Sequence, residues 1–425
     1  MAETIVRPFA AAEVEEAIRW ALAEGKTFEI VGRGSKRAVG RAAQWDATLD
    51  LSGLSGVTLC EPQELVLSAK AGTPLAEIEA LLAENGQELA FEPLDYGPLL
   101  GGSPGGGSIG GALAANLSGP RRIKAGAARD HFLGAVAVSG RGETFKSGGR
   151  VVKNVTGYDL CKLLAGSWGT LAAMTEVTVK TLPRAETEQT IFVLGCDDAT
   201  AGKAMTAVMG SFADASAAAH LPAGVAVRVG ETASARSAVT AFRLEGFAPS
   251  VAHRRGVLEE LLAPFGSLNA LDEVPSRAFW RAVRDVMPFA AERTRSGERS
   301  TGSASSAGPP GDESCVWRIS TAPARGPEIG RALTERAPAE LLYDWAGGLI
   351  YAALPPSGDG GAGVVRSAVA AAGGHATLLR APAAVRAAVD VFQAETPALA
   401  ALTKRVRESF DPRGVLNAGR MWAGV

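Results

Sequence analysis

Glycine is concentrated between residues 101 and 126, in the segment GGSPGGGSIGGALAANLSGPRRIKAG. Glycine is costly to order and packs nothing, so such a run is useful chiefly where backbone must approach another group closely. A second glycine-rich turn, GRGSKRAVG at 32–40, directly follows a predicted strand. Successive N–H groups without intervening Cβ atoms can converge on a pyrophosphate. The two segments therefore predict a cradle that holds one diphosphate from both sides, and a long surface loop is the alternative for the first.

The first segment also contains a literal G-x-G-x-x-G at Gly105, Gly107 and Gly110, with Asp130 near the spacing of a dinucleotide fingerprint. A Rossmann fingerprint requires a strand before it and a long helix after it. Here EPLDYGPLLGGSPGG precedes the glycines, and Ser-Gly-Pro at 118–120 interrupts the run that follows. The context therefore argues against a Rossmann domain.

Composition sets broad limits on location and partners. The 425 residues are 47% hydrophobic and 21% charged, with a net charge of -2, which predicts a globular protein of two or three domains without bulk affinity for nucleic acid. The four cysteines are far apart, so we expect no zinc or iron–sulfur site and a reducing compartment. The first twenty residues are acidic where a signal peptide is basic and apolar. We therefore expect a cytoplasmic protein that reaches the inner face of the membrane only through partners.

The hydrophobic pattern divides the chain into parts. Short strands and helices alternate over 1–184, and 396–425 is predicted to be a helix followed by a tail. Between them, 185–395 predicts an α+β domain with an antiparallel sheet covered on one face. The strands predicted there lie at 190–195, 225–230, 316–320, 341–345 and 348–355, with Ala-rich helices between several of them. A stretch at about 293–314 has almost no apolar side chains, so we expect a flexible insertion that is dispensable for folding.

Taken together, these segments resemble the FAD-binding domain of the vanillyl-alcohol-oxidase (PCMH-type) flavoproteins. The stretch KNVTGYDLCKLLAGSWGTLAAMTEVTVKTLP at 153–183 matches that family's K-x-x-x-G-Y-D-L pattern with G-S-x-G-x-L and a T-E strand after it, and FDPRGVLNAGRM at 410–421 matches its tail. The motifs SGPRR, RDHFLG, WRIS, DWAGGL and GGHAT are further similar to the FAD-binding subunits of bacterial glycolate oxidases. The resemblance implies a two-part FAD-binding domain at 1–184, a cap domain at 185–395, and a tail at 396–425 that returns to the first domain.

The resemblance also implies which residues contact FAD. These are Gly32, Arg33, Gly34, Ser35, Lys36, Ser108, Gly110, Gly111, Asn116, Ser118, Gly119, Gly126, Arg129, Asp130, Gly169, Thr170, Thr175 and Asn417. Covalent relatives attach the flavin through a His or Cys in or near these loops. The first loop offers Ser35 and Lys36 and the second offers neither His nor Cys, so we expect non-covalent FAD.

The activity implied by the resemblance is FAD-dependent oxidation of a 2-hydroxy acid, glycolate to glyoxylate. The partners implied are a second, catalytic FAD subunit and an iron–sulfur subunit that takes the electrons. Catalytic relatives hold a metal with an H-x-G-D-G-x-x-H type of motif, which this sequence lacks. We therefore expect no metal and no useful turnover by the isolated chain. A stand-alone D-lactate-type dehydrogenase and a non-catalytic assembly subunit are the alternatives.

Oxidation of a 2-hydroxy acid needs a cationic clamp for the carboxylate and a base for the hydroxyl proton. His375 is the candidate base or substrate contact, with a structural strand-start histidine as the alternative. Each of the other candidates also has a structural alternative. For Arg121–Arg122 the alternative is a solvated pair, and for His131 it is packing. For Asp344–Trp345 it is a buried tryptophan beside a strand acid, and for Tyr158–Asp159 it is a helix start.

Overall fold

A computed structural model describes residues 4–150, 157–291 and 314–423. The strands are β1 (Thr4–Val6), β2 (Phe28–Val31), β3 (Ala47–Asp50), β4 (Val57–Glu61), β5 (Val66–Lys70), β6 (Gln87–Glu88), β7 (Phe132–Ser139), β8 (Thr144–Gly148), β9 (Ala172–Lys180), β10 (Leu182–Pro183), β11 (Thr187–Leu194), β12 (Ala217–Leu221), β13 (Val239–Gly246), β14 (Ser267–Leu271), β15 (Cys315–Ser320), β16 (Glu340–Asp344), β17 (Leu349–Leu354) and β18 (His375–Arg380). The helices are α1 (Ala11–Glu24), α2 (Leu75–Glu84), α3 (Ile109–Ala114), α4 (Arg122–Ala125), α5 (Ala128–His131), α6 (Leu160–Leu164), α7 (Asp198–Met209), α8 (Ala223–Ala226), α9 (Ala248–Leu262), α10 (Glu273–Arg284), α11 (Gly326–Thr334), α12 (Ala362–Ala372), α13 (Ala383–Ala388) and α14 (Pro397–Phe410). The start of the K-x-x-x-G-Y-D-L motif at 153–156 and almost all of the expected insertion at 293–314 lie outside the described residues.

A three-stranded parallel sheet has the strand order β1-β3-β2, and α1 packs on it. Helix α1 forms because its apolar residues recur three and four positions apart, and Val14 and Ile18 are fully buried. Gly25 ends the helix in the left-handed conformation, with φ 63°. Strand β2 then runs straight into the glycine-rich turn at 32–40.

A five-stranded antiparallel sheet, in the order β4-β5-β9-β7-β8, forms the second layer. Helices α2 and α3 cover it through Ile78, Leu82 and Leu113, which are buried against the sheet. The second glycine-rich segment lies across the end of β5, where the Gly110 N–H donates to the carbonyl of Ala71 at 2.9 Å. A Cβ on Gly110 would lie 2.7 Å from that carbonyl oxygen, so only glycine allows this approach.

The largest sheet is antiparallel and has eight strands, in the order β14-β11-β13-β12-β16-β17-β15-β18. Helices α7, α9, α11 and α12 pack on one of its faces. The other face packs on residues from the first part of the chain, among them Leu94 and Tyr96. The predicted α+β class is therefore confirmed, but the expectation of a sheet covered on only one face is wrong. The strand predicted at 225–230 is also wrong, because that segment begins within the short helix α8.

The proposed boundary at residue 184 falls between β10 and β11, and α14 begins just after residue 395. Beyond α14 the chain returns to β2, where the Phe28 N–H donates to the carbonyl of Val415 at 2.7 Å and the Asn417 N–H donates to the carbonyl of Phe28 at 2.9 Å. Among the helices of the described ranges, none is long and apolar enough to cross a lipid bilayer.

Candidate cofactor and substrate site

A cleft with about 670 Å³ of empty volume lies between the two glycine-rich segments. The sequence-predicted residues that line it are Gly32, Arg33, Gly34, Ser35, Lys36, Ser108, Gly110, Gly111 and Gly169. Residues that the sequence-based assignment missed also line it, among them Ala114, Ala115, Trp168, Met174 and Arg420. Half of the predicted set therefore meets around one cavity.

The two glycine-rich segments touch each other at one edge of this cleft. A Cβ on Gly32 would lie 2.3 Å from the Ser108 hydroxyl oxygen, and one on Gly111 would lie 3.5 Å from the Lys36 ammonium nitrogen. The Ser108 hydroxyl in turn accepts from the Gly111 N–H at 3.3 Å. Side chains at the two glycines would fill this space, so the residues present fit a ligand that is approached by bare backbone.

Lys36 and Arg420 are two of the cations that line the cleft. Burial lowers the pKa of Lys36 to about 8, Asp95 opposes this shift and Arg420 reinforces it. Arg420 is 5% exposed, and its Nη2 donates to the carbonyl of Lys36 at 2.9 Å. The Arg420 Nε is buried and has no hydrogen-bond partner among the described residues. A buried donor without a partner is costly, so an anionic ligand in the cleft would satisfy it.

Arg37, which also lines the cleft, forms an ion pair. Arg37 donates through Nε to Glu29 Oε1 at 3.1 Å, and its Nη2 also pairs with the other carboxylate oxygen. Glu29 is buried within β2, so this pair fixes the first glycine-rich turn to the strand from which it emerges. The sequence placed neither residue in the site.

A further group of predicted residues organises the loop after α3 through local hydrogen bonds. Asn116 has φ 50°, and its Oδ1 accepts from the Arg129 N–H at 3.0 Å. The buried Ser118 hydroxyl accepts from the Ala128 N–H at 2.9 Å. Asp130 caps its own short helix by accepting from the Ala127 N–H at 2.8 Å.

Two glycines complete that loop. Gly126 adopts φ 90°, and a Cβ on Gly119 would lie 2.7 Å from the Cβ of Glu92. Direct contact of any residue in this loop with FAD stays a prediction.

The predicted residues Asn417, Thr170 and Thr175 also form hydrogen bonds to other parts of the protein. Both ends of the buried Asn417 amide are engaged, because Oδ1 accepts from the Ile30 N–H at 2.8 Å and Nδ2 donates to the carbonyl of Trp168 at 2.7 Å. Asn417 therefore clamps β2 to the loop that holds Gly169. The hydroxyls of Thr170 and Thr175 donate to the carbonyls of Ser167 and Val136, respectively.

Arg121 and Arg122 have different surroundings. Arg121 is buried in a network of carboxylates, with ion pairs to Glu88 at 2.8 Å and to Glu245 at 2.5 Å. It is therefore neither a free anion clamp nor a solvated pair with its neighbour. Arg122 instead lies over the ring of Trp345, with its Cζ 4.2 Å from the ring centroid.

The Arg121 network borders a second recess, with about 1480 Å³ of empty volume. Its walls are mostly arginines and carboxylates, and many of them pair with each other. Arg243, for example, donates through Nη1 to Glu92 Oε1 at 2.8 Å. Because these charges are already compensated, the recess is a poorer candidate for FAD than the smaller cleft between the glycine-rich segments.

The surroundings of the remaining candidates show which of them have structural roles. His131 is buried and shares a hydrogen bond with the carbonyl of Ala125 at 2.8 Å, so packing accounts for it. Tyr158 is 91% exposed, and Asp159 caps α6 by accepting from the Lys162 N–H at 3.3 Å. His375 does begin β18, and it lies on the sheet face that packs on the first part of the chain.

Asp344 and Trp345 are both buried under the same sheet face. The Asp344 Oδ1 accepts from the Trp345 N–H at 2.7 Å, and burial raises the pKa of Asp344 to about 7. The Trp345 indole N–H donates to the carbonyl of Gly119 at 2.9 Å. The pair therefore lies directly behind the second glycine-rich segment. Within the described ranges, no group of three or more His, Cys, Asp or Glu side chains is placed to hold a metal ion.

Comparison with known proteins agrees with this geometry. Residues 2–148 match the family model described as "FAD binding domain". Over 169 residues the chain is 40% identical to the glycolate oxidase subunit GlcE of Escherichia coli, and this match spans 40% of the chain and 46% of that protein. It is also 25% identical over 453 residues to an uncharacterized FAD-linked oxidoreductase of Mycobacterium tuberculosis, spanning 97% of the chain and 89% of that protein.

Among solved structures, p-cresol methylhydroxylase with substrate bound superposes with a TM-score of 0.70 at 12% identity, over 98% of this chain and 88% of that one. The predicted resemblance, the cofactor and the class of FAD-linked oxidoreductase are confirmed by these matches. Residues 2–148 are therefore similar to FAD-binding domains, the chain has the same fold as p-cresol methylhydroxylase, and FAD is its cofactor.

Proposed function

We propose that this chain is the FAD-binding subunit of a complex that oxidises a small 2-hydroxy acid, with glycolate converted to glyoxylate. The observation that carries the proposal is the meeting of Gly32 and Ser108 at the edge of one cleft. The 40% identity to a glycolate oxidase subunit over 169 residues supports the choice of substrate class. The domain limits at 184 and 395 remain part of the proposal.

The cleft residues divide the work of holding the cofactor. The backbone N–H groups of 32–36 would hold the pyrophosphate, because those of 109–111 already donate to Thr73, Ala71 and Ser108. The segment 108–111 would lie against the ligand, and the cations of Lys36 and Arg420 would balance its charge. When bound, FAD supplies a two-electron acceptor. The chain's own part is to fix that group and exclude water from it, while a partner subunit completes the site at which the substrate reacts. His375, at the start of β18, is the candidate to take the hydroxyl proton.

We further propose that a second, catalytic FAD subunit and an iron–sulfur subunit act beside this chain. The printed name of the relative, a glycolate oxidase subunit, supports an assembly of several chains. The sequence has no C-x-x-C pair or haem-attachment motif through which electrons could leave. The complex would be cytoplasmic and would reach the inner membrane face through its partners.

Anaerobic mixing of the purified, FAD-loaded chain with excess glycolate or D-lactate tests this proposal. We expect little bleaching of the flavin absorbance band by the isolated chain, and activity when the catalytic flavoprotein and iron–sulfur subunits are added. Fast bleaching, with steady turnover once a dye acceptor is present, would instead identify a stand-alone dehydrogenase. A colourless chain of normal stability that still joins the complex would identify an assembly subunit.

A further inference from the structure

Two arginines lie over a single indole ring behind the second glycine-rich segment. The Cζ of Arg122 is 4.2 Å and that of Arg318 is 5.1 Å from the centroid of Trp345. Trp345 is 5% exposed and is held in place by its hydrogen bond to the Gly119 carbonyl. Both guanidinium groups therefore lie over the same indole ring. That ring is hydrogen-bonded to the segment 108–119, and part of this segment lines the cofactor cleft.

Neither guanidinium forms an ion pair with a carboxylate of the described residues. Asp130 and Asp344 are close enough to act on them electrostatically, but neither lies within 4.0 Å as a salt-bridge partner. This distinguishes Arg122 from its neighbour Arg121, which is surrounded by glutamates. Two like charges near one ring repel each other, and an anion between them would relieve that repulsion.

The surrounding side chains are suited to a small polar ligand. Arg318 in β15 pairs directly with Tyr351 in β17, so both lie on the sheet face that packs on the first part of the chain. The Tyr351 and Tyr96 hydroxyl oxygens are 3.4 Å apart. His375 pairs with Ser320, two positions along β15 from Arg318, and therefore shares this face.

The surroundings of the histidine favour its neutral form, which can accept a proton. Partial burial lowers the pKa of His375, whose side chain is still exposed at the start of β18, and the charges of Arg318, Arg122 and Arg366 lower it further. The cluster thus combines two cations without carboxylate partners, two phenol hydroxyls and an imidazole that favours its neutral state.

We infer that Arg122 and Arg318 bind the carboxylate of a small 2-hydroxy acid at the edge of Trp345, beside the Tyr96 and Tyr351 hydroxyls. A guanidinium stacked on an indole directs its N–H groups outward in its own plane. One of these groups in Arg318 bonds to the Tyr96 side chain, and the others match a carboxylate geometrically. The inference rests on the proposed function for its ligand class, and it adds the residues and the chain that recognise the substrate.

Titration of the full-length, FAD-loaded chain with oxalate tests the inference, because oxalate presents carboxylates of the required size without being oxidised. Binding is measured by calorimetry and by the fluorescence of the protein's tryptophans. Arg122→Gln and Arg318→Gln should each weaken oxalate binding roughly 10- to 100-fold, as expected for a lost charge-assisted hydrogen bond. The matched control is Arg325→Gln, since Arg325 is half exposed and pairs with Glu328 on the surface. This variant should bind oxalate like the wild type.

FAD content and melting temperature are measured on every variant, so that the two proposals can fail separately. Wild-type oxalate affinity in both glutamine variants, with FAD retained, would overturn this inference and leave the proposed function intact. Loss of FAD with oxalate binding preserved would overturn it too, because the arginines would then serve the flavin. A wild-type chain that binds neither ligand would contradict the proposed function itself. If Arg318→Gln does not fold, Arg318→Lys keeps the charge near Trp345 and should still bind oxalate more weakly than wild type, and equal affinity would refute the inference.

Discussion

Gly111 gives the sharpest test of the bare-backbone cleft. A Cβ at this position would lie 3.1 Å from the Ser108 hydroxyl oxygen and 3.5 Å from the Lys36 ammonium nitrogen, which is tight but tolerable. Alanine should therefore change FAD affinity little. Valine adds two methyl groups about 1.5 Å farther out, where they meet the lysine and the ligand space. Overpacking of this kind costs about 1–3 kcal/mol, so Gly111→Val should weaken FAD binding about 5- to 150-fold.

The assay is titration of the deflavinated chain with FAD, followed by quenching of the flavin fluorescence. Gly256→Val is the matched control, because a Cβ at Gly256 in α9 meets no atom within 4 Å. Circular dichroism of each apoprotein reports whether the fold is retained. A folded Gly111→Val chain that binds FAD as tightly as the wild type would show that the ligand does not approach this backbone.

Four other perturbations follow from the described contacts. Acid precipitation should release yellow FAD into the supernatant, and flavin that stays in the pellet would show a covalent bond. Because burial lowers the pKa of Lys36 to about 8, its positive charge is lost as the pH rises through that value, so FAD affinity should fall above about pH 8 in the wild type but not in Lys36→Met. Glu92→Ala leaves the buried Arg121 and Arg243 with fewer partners and should cost about 3 kcal/mol in urea unfolding, whereas the exposed Glu328→Ala should cost less than about 1 kcal/mol. Burial raises the pKa of Asp344 to about 7, so the folded chain keeps a proton on this carboxyl that the unfolded chain has lost by about pH 5. The free energy of unfolding should therefore decline between about pH 4 and pH 7, and Asp344→Asn should remove this decline.

Local chemistry made the glycine-rich segments predictable, and long-range contacts made the rest of the site hard to predict. A run of glycines identifies backbone that must lie close to something, and Gly32, Gly110 and Gly111 all do so. Arg420 stands in the tail motif that the sequence singled out. Its contact with Lys36 depends on how the tail returns to β2, which no local pattern specifies.

The adjacent arginines show the same limit. Arg121 and Arg122 are equivalent in sequence, but partners far along the chain separate them. One meets Glu245 and the other meets Trp345. The pattern alone therefore left both readings open.

Two errors in secondary structure have physical causes. Val225, Val227 and Val229 alternate as in a strand, but Val225 and Val229 are also four positions apart, which places both on the buried side of a helical turn while Val227 is 44% exposed. Strand β12 is absent from the predicted strands; it is rich in alanine and all five of its residues are buried. A fully buried strand has no alternation of apolar and polar residues, so periodicity does not separate it from a helix.

The tail that closes the cleft has a consequence for biosynthesis. Asn417 bonds to Ile30 across 387 residues of sequence, and Arg420 to Lys36 across 384. At about 5–20 residues per second, the ribosome needs roughly 20 to 80 s to make the second partner after the first. For that time the first glycine-rich turn exists without its clamp, and Lys36 without the guanidinium beside it. Capture of FAD in the finished geometry is therefore a late event in the life of the nascent chain, and a product truncated before residue 417 would carry every glycine of the cradle but not the clamp that closes it.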